Sequence, residues 1–243
     1  MITLNTKQRQ AIQEHTLICY PEEMCGILVG EDFIPMKNTA ENPEGNFRIA
    51  EQDLIPYLGK LTAIVHSHCY NKSRPSMLEI RTPSSADIKQ QKLSGVPWLI
   101  IGTEGENVLD PIELPRTPSR NYLGRPFIWF INDCYTLVQD YYRYELGITL
   151  PDASSNRDYK SSRGNNEPFK DYIEKYGFTS RTSIENLKNG ELLLLSAGTA
   201  SMNHLGIYHN GNVLSQENLS IELPFSAYIG RIHRILTYTD DNK

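Results

Sequence analysis

Two histidines, His66 and His68, stand one residue apart in LTAIVHSH (61–68), and Cys134 lies at the start of DCYTLVQDYYRYELG (133–147). Alternation along a strand turns both imidazoles to one face. That suits two ligands of one zinc ion, which needs a third donor and an open position for water. A carboxylate near that water would act as general base, since zinc brings the water's pKa to about 7. Two acids compete for the third position: Glu79 in Ser76-x-x-Glu79 and Asp87 in Ser84-x-x-Asp87. An H-x-H pair by itself is more often part of a polar strand that binds no metal. A nucleophilic cysteine needs a lowered pKa, a nearby imidazole and a third group to orient that imidazole. A helix start favours the thiolate by about 0.3–1 kcal/mol, under about one pKa unit, so a histidine must supply most of the activation. His204 begins HLGIYH (204–209), and Gln216 lies down the following hairpin, within reach of the ring. A buried cysteine at a helix start is also common as a structural residue.

The elements around these residues divide the chain in two. Residues 6–19 form an amphipathic helix with Ile12, Leu17, Ile18 and Cys19 on its apolar side. CGILVG (25–30) is a buried strand closed by Gly30, and 50–60 reads as a helix that Pro56 kinks or ends. LTAIVHSH is a strand, SSADIKQQKLSG (84–95) a helix stopped by Gly95, and PWLIIG (97–102) another strand. This alternation predicts α/β layering. LPRTPSRNYLGRPF (114–127) is rich in Pro, Arg and Ser, which places a linker at 115–127 between domains at 1–114 and 128–243. In the second half, Asp133 can cap a helix that Gly147 ends, 151–168 reads as a polar loop, and PFKDYIEKYGF (168–178) as a helix. ELLLLSA (191–197), NHLGIYH (203–209) and NVLSQ (212–216) are strands, the last two joined by Asn210-Gly211, so this half is α+β.

With 39% hydrophobic and 22% charged residues, the chain has the composition of a soluble globular protein. No run approaches eighteen apolar residues, and MITLNTKQRQAIQEH lacks the basic-then-apolar pattern of a signal peptide. Membrane insertion and ordinary export are not expected. A net charge of −5 without a basic patch argues against nucleic-acid binding. Cys19, Cys25, Cys69 and Cys134 form no disulfide framework and read as reduced thiols. His209 is expected exposed on its hairpin, and His15 and His233 structural.

Glu23 in EMCGIL, then H-S-H, then Ser-x-x-Asp, resembles the JAMM (MPN) metallopeptidases. The resemblance implies a JAMM-type mixed sheet with flanking helices, Glu23 as acid/base, His66, His68 and an Asp as zinc ligands, and a serine that helps hold the tetrahedral intermediate. Strict family spacing leaves seven residues between His68 and the serine, which selects Ser76 and Glu79. PSSAD (83–87), running through a helix to SGVPW (94–98), is similar instead to the JAMM domains of phage tail proteins, so Ser84 and Asp87 are the expected pair, with 70–77 an inserted loop able to cover the cleft. Cys69 follows H-S-H where the family commonly has Pro. It is either a bystander or an extra thiolate ligand.

Asp-Cys-Tyr-x-Leu-Val-x-Asp-Tyr-Tyr, followed by His-x-Gly-Ile-Tyr, resembles the NlpC-type cysteine peptidases, which cleave peptidoglycan stem peptides. This implies a papain-like domain with a nucleophile helix on an antiparallel sheet. Cys134 would be the nucleophile, His204 the base, Gln216 the third polar residue and Tyr122 a residue near the oxyanion site. Trp129 and Phe130 depart from a common His-Gly pair. The two domains in this order, joined through YLGRPF, resemble a family of tail-tip proteins of long-tailed phages. The resemblance implies a hydrolase made in the host cytoplasm, carried in the virion tail tip and delivered to the periplasm or cell wall. Other tail-tip proteins and peptidoglycan would be its partners, and Zn2+ its metal. The rival expectation is a structural tail-tip plug with idle sites. A cellular isopeptidase that removes ubiquitin-like tags would fit the first half only.

Overall fold

In the first half, apolar strands need both faces covered and helices supply the cover. The computed structural model describes residues 2–152, 176–198 and 202–239. Two compact units make up the chain, residues 1–117 and 118–243.

In the first unit α1 (Thr6–Cys19) is started by a reciprocal cap between Asn5 and Gln8. Its buried residues are Gln8, Ile12 and Thr16. Ile18, expected on the buried side, is 79% exposed. At about 100° per residue it stands about 120° around the helix from the middle of the 8-12-16 row. A five-stranded sheet follows, in the order β2 (Asp32–Met36), β1 (Cys25–Val29), β3 (Leu61–Cys69), β4 (Trp98–Thr103), β5 (Ile112–Leu114). Only β3 and β4 are parallel, so the sheet is mixed. Ile12 from α1 packs with Ala63, Val65, Leu99 and Ile101 on one face. His66 and His68 alternate with these residues and project from the other face.

The expected helix over 50–60 is one α-turn, α2 (Glu51–Leu54), followed by a 3-10 turn at Ile55–Tyr57 with Pro56 near its start. Pro lacks the N–H that a continuing α-helix would use. The stretch 70–77 makes a tight turn at Asn71–Arg74 and leads into α3 (Met77–Arg81). α4 (Ser85–Ser94) ends at Gly95, whose φ of 69° is the left-handed cap that glycine adopts without strain.

In the second unit α5 (Cys134–Tyr141) passes into a π-helical turn at Tyr142–Leu146 and stops at Gly147, φ 70°. It lies on a six-stranded antiparallel sheet ordered β10 (Ser220–Pro224), β9 (Asn212–Gln216), β8 (His204–His209), β7 (Leu192–Leu195), β11 (Ile232–Tyr238), β6 (Phe178–Arg181). Leu137, Val138 and Tyr141 pack with Leu192, Leu194, Leu205, Ile207 and Leu214, while Leu193, Leu195, Val213 and Tyr228 form a second cluster. The two sets alternate along β7, as opposite faces of a strand do. Asn210 and Gly211 both have positive φ, 49° and 84°, the signature of a tight two-residue hairpin turn.

The linker expected over 115–127 is not a free connection. Residues 118–127 belong to the second unit, where Arg125 N donates to Ser220 Oγ at 2.8 Å and Phe127 N to the Asn218 carbonyl at 2.7 Å. Backbone hydrogen bonds tie its C-terminal end to the second unit. The loop expected at 151–168 and the helix at 168–178 lie almost wholly outside the described residues; Phe178 itself begins β6.

Candidate active sites

The first site is built from β3, the N-terminus of α4 and Glu23, two residues before β1. His66 and His68 Nε2 are 3.3 Å apart. Asp87 Oδ1 lies 3.3 Å from His66 Nε2, and Asp87 Oδ2 lies 3.2 Å from His68 Nε2. All three residues are buried, and they are the one such group of potential metal-binding side chains among the described residues. A local cap aims Asp87: Ser84 N donates to Oδ2 at 2.6 Å, while Asp87 N donates to Ser84 Oγ at 3.1 Å. Thus the carboxylate that closes the helix also faces both rings. Glu79 is occupied elsewhere, accepting from Ser76 Oγ at 3.0 Å at the start of α3. Between the two acids, geometry brings Asp87 to the histidines.

The donor types and their convergence fit a divalent cation with one coordination position left over. Burial disfavours the charge on Asp87, but His66 and His68 outweigh it and hold the carboxyl well below the usual range. Burial lowers His68 to about 4, so its ring is neutral and has a lone pair to give. Both Nδ1 atoms are buried without a hydrogen-bond partner among the described residues. Metal-binding histidines usually donate from that nitrogen to an acceptor. Packing orients His66 instead: Phe47 stacks on it at 4.3 Å and Trp98 meets it edge-on at 5.5 Å.

Glu23 is 2% exposed and pairs through Oε1 with Arg74 Nη1 at 2.6 Å. Burial pushes its carboxyl up, against the pull of His66 and Arg74. Its neighbour Met24 is fixed by the serine between the histidines: Met24 N donates to Ser67 Oγ at 2.7 Å, and Ser67 N to the Met24 carbonyl at 2.9 Å. A cavity of about 640 Å3 opens over Glu23, Ser84, Asp87 and Arg74. Cys69 alternates to the other side of β3, where its Sγ donates to the Glu22 carbonyl at 3.3 Å. Burial raises its pKa to about 11. It is a bystander to the histidine pair.

The second site centres on Cys134, the first residue of α5 and 4% exposed. Asp133 caps the helix, accepting from Thr136 N at 2.9 Å and from Phe130 N at 2.8 Å. Phe130 stands at φ 67°, a left-handed conformation that a bulky residue adopts only under strain. Its burial and the Asp133 bond hold it there.

His204 is buried and its Nε2 lies 2.9 Å from Ser215 Oγ. Burial lowers its pKa to about 4, opposed by Glu217 and aided by Arg231. Gln216, expected to orient this ring, donates instead to the Arg125 carbonyl at 2.7 Å. The hairpin register explains the substitution. Gly206 faces Ser215, so His204 shares a sheet face with Ser215, whereas Gln216 lies on the face of Leu205. A two-residue Asn-Gly turn dictates this register, so Ser215 was readable from the sequence. The Tyr122 ring packs against the Cys134 cluster, but its hydroxyl donates to Glu145 Oε1 at 2.8 Å. His209 is half-buried rather than exposed, and its Nδ1 lies 2.9 Å from the Tyr141 hydroxyl.

Two further residues carry no short motif to reveal them. Arg74 reaches Glu23 across 51 positions of sequence. Arg125 contacts Asp140, on α5, at 3.0 Å and Asn132 at 2.9 Å.

The NlpC/P60 family profile matches residues 124–231, so the second unit carries an NlpC/P60 domain. Over 98% of its length the chain is 28% identical to tail tip assembly protein K of Escherichia phage N15, spanning 96% of that protein. It is 30% identical to tail tip assembly protein K of Escherichia phage lambda over 62% of this chain and 66% of that one. A solution structure of a protein from Desulfitobacterium hafniense aligns with 46% of this chain and 82% of its own, at 22% identity and a TM-score of 0.35.

Proposed function

We propose that this protein is a component of a phage tail tip whose second unit hydrolyses an amide bond of bacterial peptidoglycan as the tail penetrates the wall. The observation that carries the reading is the NlpC/P60 match across the segment in which Cys134 opens a capped, buried helix. Cys134 Sγ would attack the amide carbonyl carbon, its proton passing to His204. The departing amine takes that proton, and water then hydrolyses the thioester to release the acid and restore the thiol. A neutral His204 suits this role. A neutral imidazole keeps one nitrogen lone pair, which would accept the thiol proton. Tail-tip proteins would be its assembly partners, as the names of the two relatives suggest.

The first unit reads as a zinc peptidase of JAMM type. His66, His68 and Asp87 would hold the ion, which when bound supplies Lewis acidity. Glu23 would move protons between water and the leaving amine, and Ser84 would face the tetrahedral intermediate from the rim of the cavity.

A second reading is a structural tail-tip part with an idle cysteine. It draws on the strand register, which turns His204 with Leu195 and Ser215 to the sheet face opposite the one on which Cys134 and α5 pack, and on Gln216 Nε2, which is spent on the Arg125 carbonyl. Thiol labelling near neutral pH separates the two. Burial raises Cys25 to about 12 and Cys69 to about 11, which makes them slow internal references. An activated Cys134 labels faster than either, and His204→Ala removes the difference. Labelling of Cys134 no faster than that of Cys25 favours the structural part.

A further inference from the structure

The inserted segment 70–77 does more than lengthen a loop. Asn71 Oδ1 accepts from Ser73 N at 2.8 Å and Arg74 N at 3.0 Å, and Asn71 Nδ2 donates to the Glu44 carbonyl at 2.8 Å. This local turn delivers Arg74 to the first site, where its side chain is 15% exposed. Nη1 is spent on Glu23 Oε1 at 2.6 Å. Nε and Nη2 have no hydrogen-bond partner among the described residues, and Arg74 lines the cavity. The guanidinium is therefore anchored through one nitrogen while the donors that form its planar fork remain unspent.

A planar guanidinium fork matches a carboxylate through two parallel N–H···O bonds. The charge of the cavity favours the same ligand. Arg48 and Arg74 already balance Glu23 and Asp87, so a bound divalent cation leaves the cavity with excess positive charge. Phe47 and Trp98 supply an apolar wall beside these charges.

We propose that Arg74 is a carboxylate receptor, so that the first unit takes peptide ends: chains with a free terminal carboxylate beside the bond to be cut. The proposal rests on the zinc-peptidase reading of that unit and adds the substrate class. Glu23, on one nitrogen of the guanidinium, would handle the proton of the attacking water. The ligand carboxylate, on the free edge of the same plane, would fix the last residue of the substrate. Water adds to the final amide carbonyl, the C–N bond breaks, and the terminal amino acid leaves with the proton that Glu23 carries. Arg74 itself positions substrate and exchanges no proton.

The test uses the full chain, both zinc-loaded and treated with a chelator, and titrates N-acetyl-alanyl-alanine, in L and D forms, against the corresponding C-terminal amide by calorimetry. The acid form is expected to bind about tenfold or more tightly than the amide, as losing a charge-assisted pair implies. Arg74→Gln should bring the ratio to about one, and Arg74→Lys should retain part of it. Metal content and thermal midpoint, measured on each variant, show that the site still forms. Equal binding of acid and amide by the wild type overturns the proposal. So does an undiminished preference in Arg74→Gln, or no binding of either peptide. A preference for the acid in protein that takes up no zinc would leave the receptor standing while removing the zinc reading on which its reaction depends.

Discussion

The two candidate sites differ in how their side chains are held. At the first, the three would-be ligands meet within hydrogen-bond range, two from alternate positions of one strand and one from a helix cap. At the second, the proposed nucleophile and base come from a helix start and a strand separated by seventy positions of chain, and the proposed base contacts a serine. Local geometry sets a site whose residues share short segments. A site assembled across a hairpin depends on register, where a one-residue slip moves a side chain to the other face of the sheet.

Four perturbations probe that contrast, in order of expected effect. His66→Ala and His68→Ala should each abolish metal uptake, measured by elemental analysis, while Glu79→Ala keeps it. Uptake lost in Glu79→Ala and kept in Asp87→Ala would reverse the ligand assignment.

Asp140→Ala should destabilise the second unit by about 3–5 kcal/mol in denaturant unfolding, because it removes the buried carboxylate that pairs with the Arg125 charge. A change under about 1 kcal/mol would mean that the pair does not organise the helix.

His204 gives the next largest effect, through pH. Its folded pKa of about 4 lies below the ordinary 6.5, so the unfolded chain takes up its proton first. Its neutral burial contributes stability fully above about pH 6.5 and loses it progressively toward pH 4, by roughly 3 kcal/mol in all. Melting curves of wild type and His204→Gln should therefore diverge above pH 6.5 and converge near pH 4; parallel curves would contradict a buried neutral ring.

Ser215→Ala should lower kcat about tenfold with KM nearly unchanged, the mark of a residue that orients the base rather than one that binds substrate. Gln216→Ala lowering kcat more than Ser215→Ala, without loss of stability, would return the orienting role to Gln216.

Much of the frame was legible because short-range rules govern it. Gly95 and Gly147 end their helices in left-handed conformations, Asp133 caps α5, and Asn210-Gly211 turns the hairpin. The histidine pair follows from strand alternation alone. Other features depend on contacts that no local pattern encodes. Ile18 looked apolar-facing, yet α1 buries the row that includes Gln8 and Thr16. An edge strand escaped notice: β2 carries Pro35, which is tolerated there because an edge strand need not donate on its outer side. Arg74 sits in a segment that read as an insertion, and only the fold brings it to Glu23. Ser215 was obscured by the family pattern that pointed one residue further, although the hairpin register favoured it.

Release of soluble muropeptides from purified Gram-negative peptidoglycan, by wild type and Cys134→Ala side by side, tests the central claim most directly. The account predicts new stem-peptide products with the wild type and their disappearance in Cys134→Ala, with His66→Ala retaining cysteine-dependent release. Equal release by the wild type and Cys134→Ala, or none by either, would contradict a cysteine peptidase and leave the proposed tail-tip role a structural one.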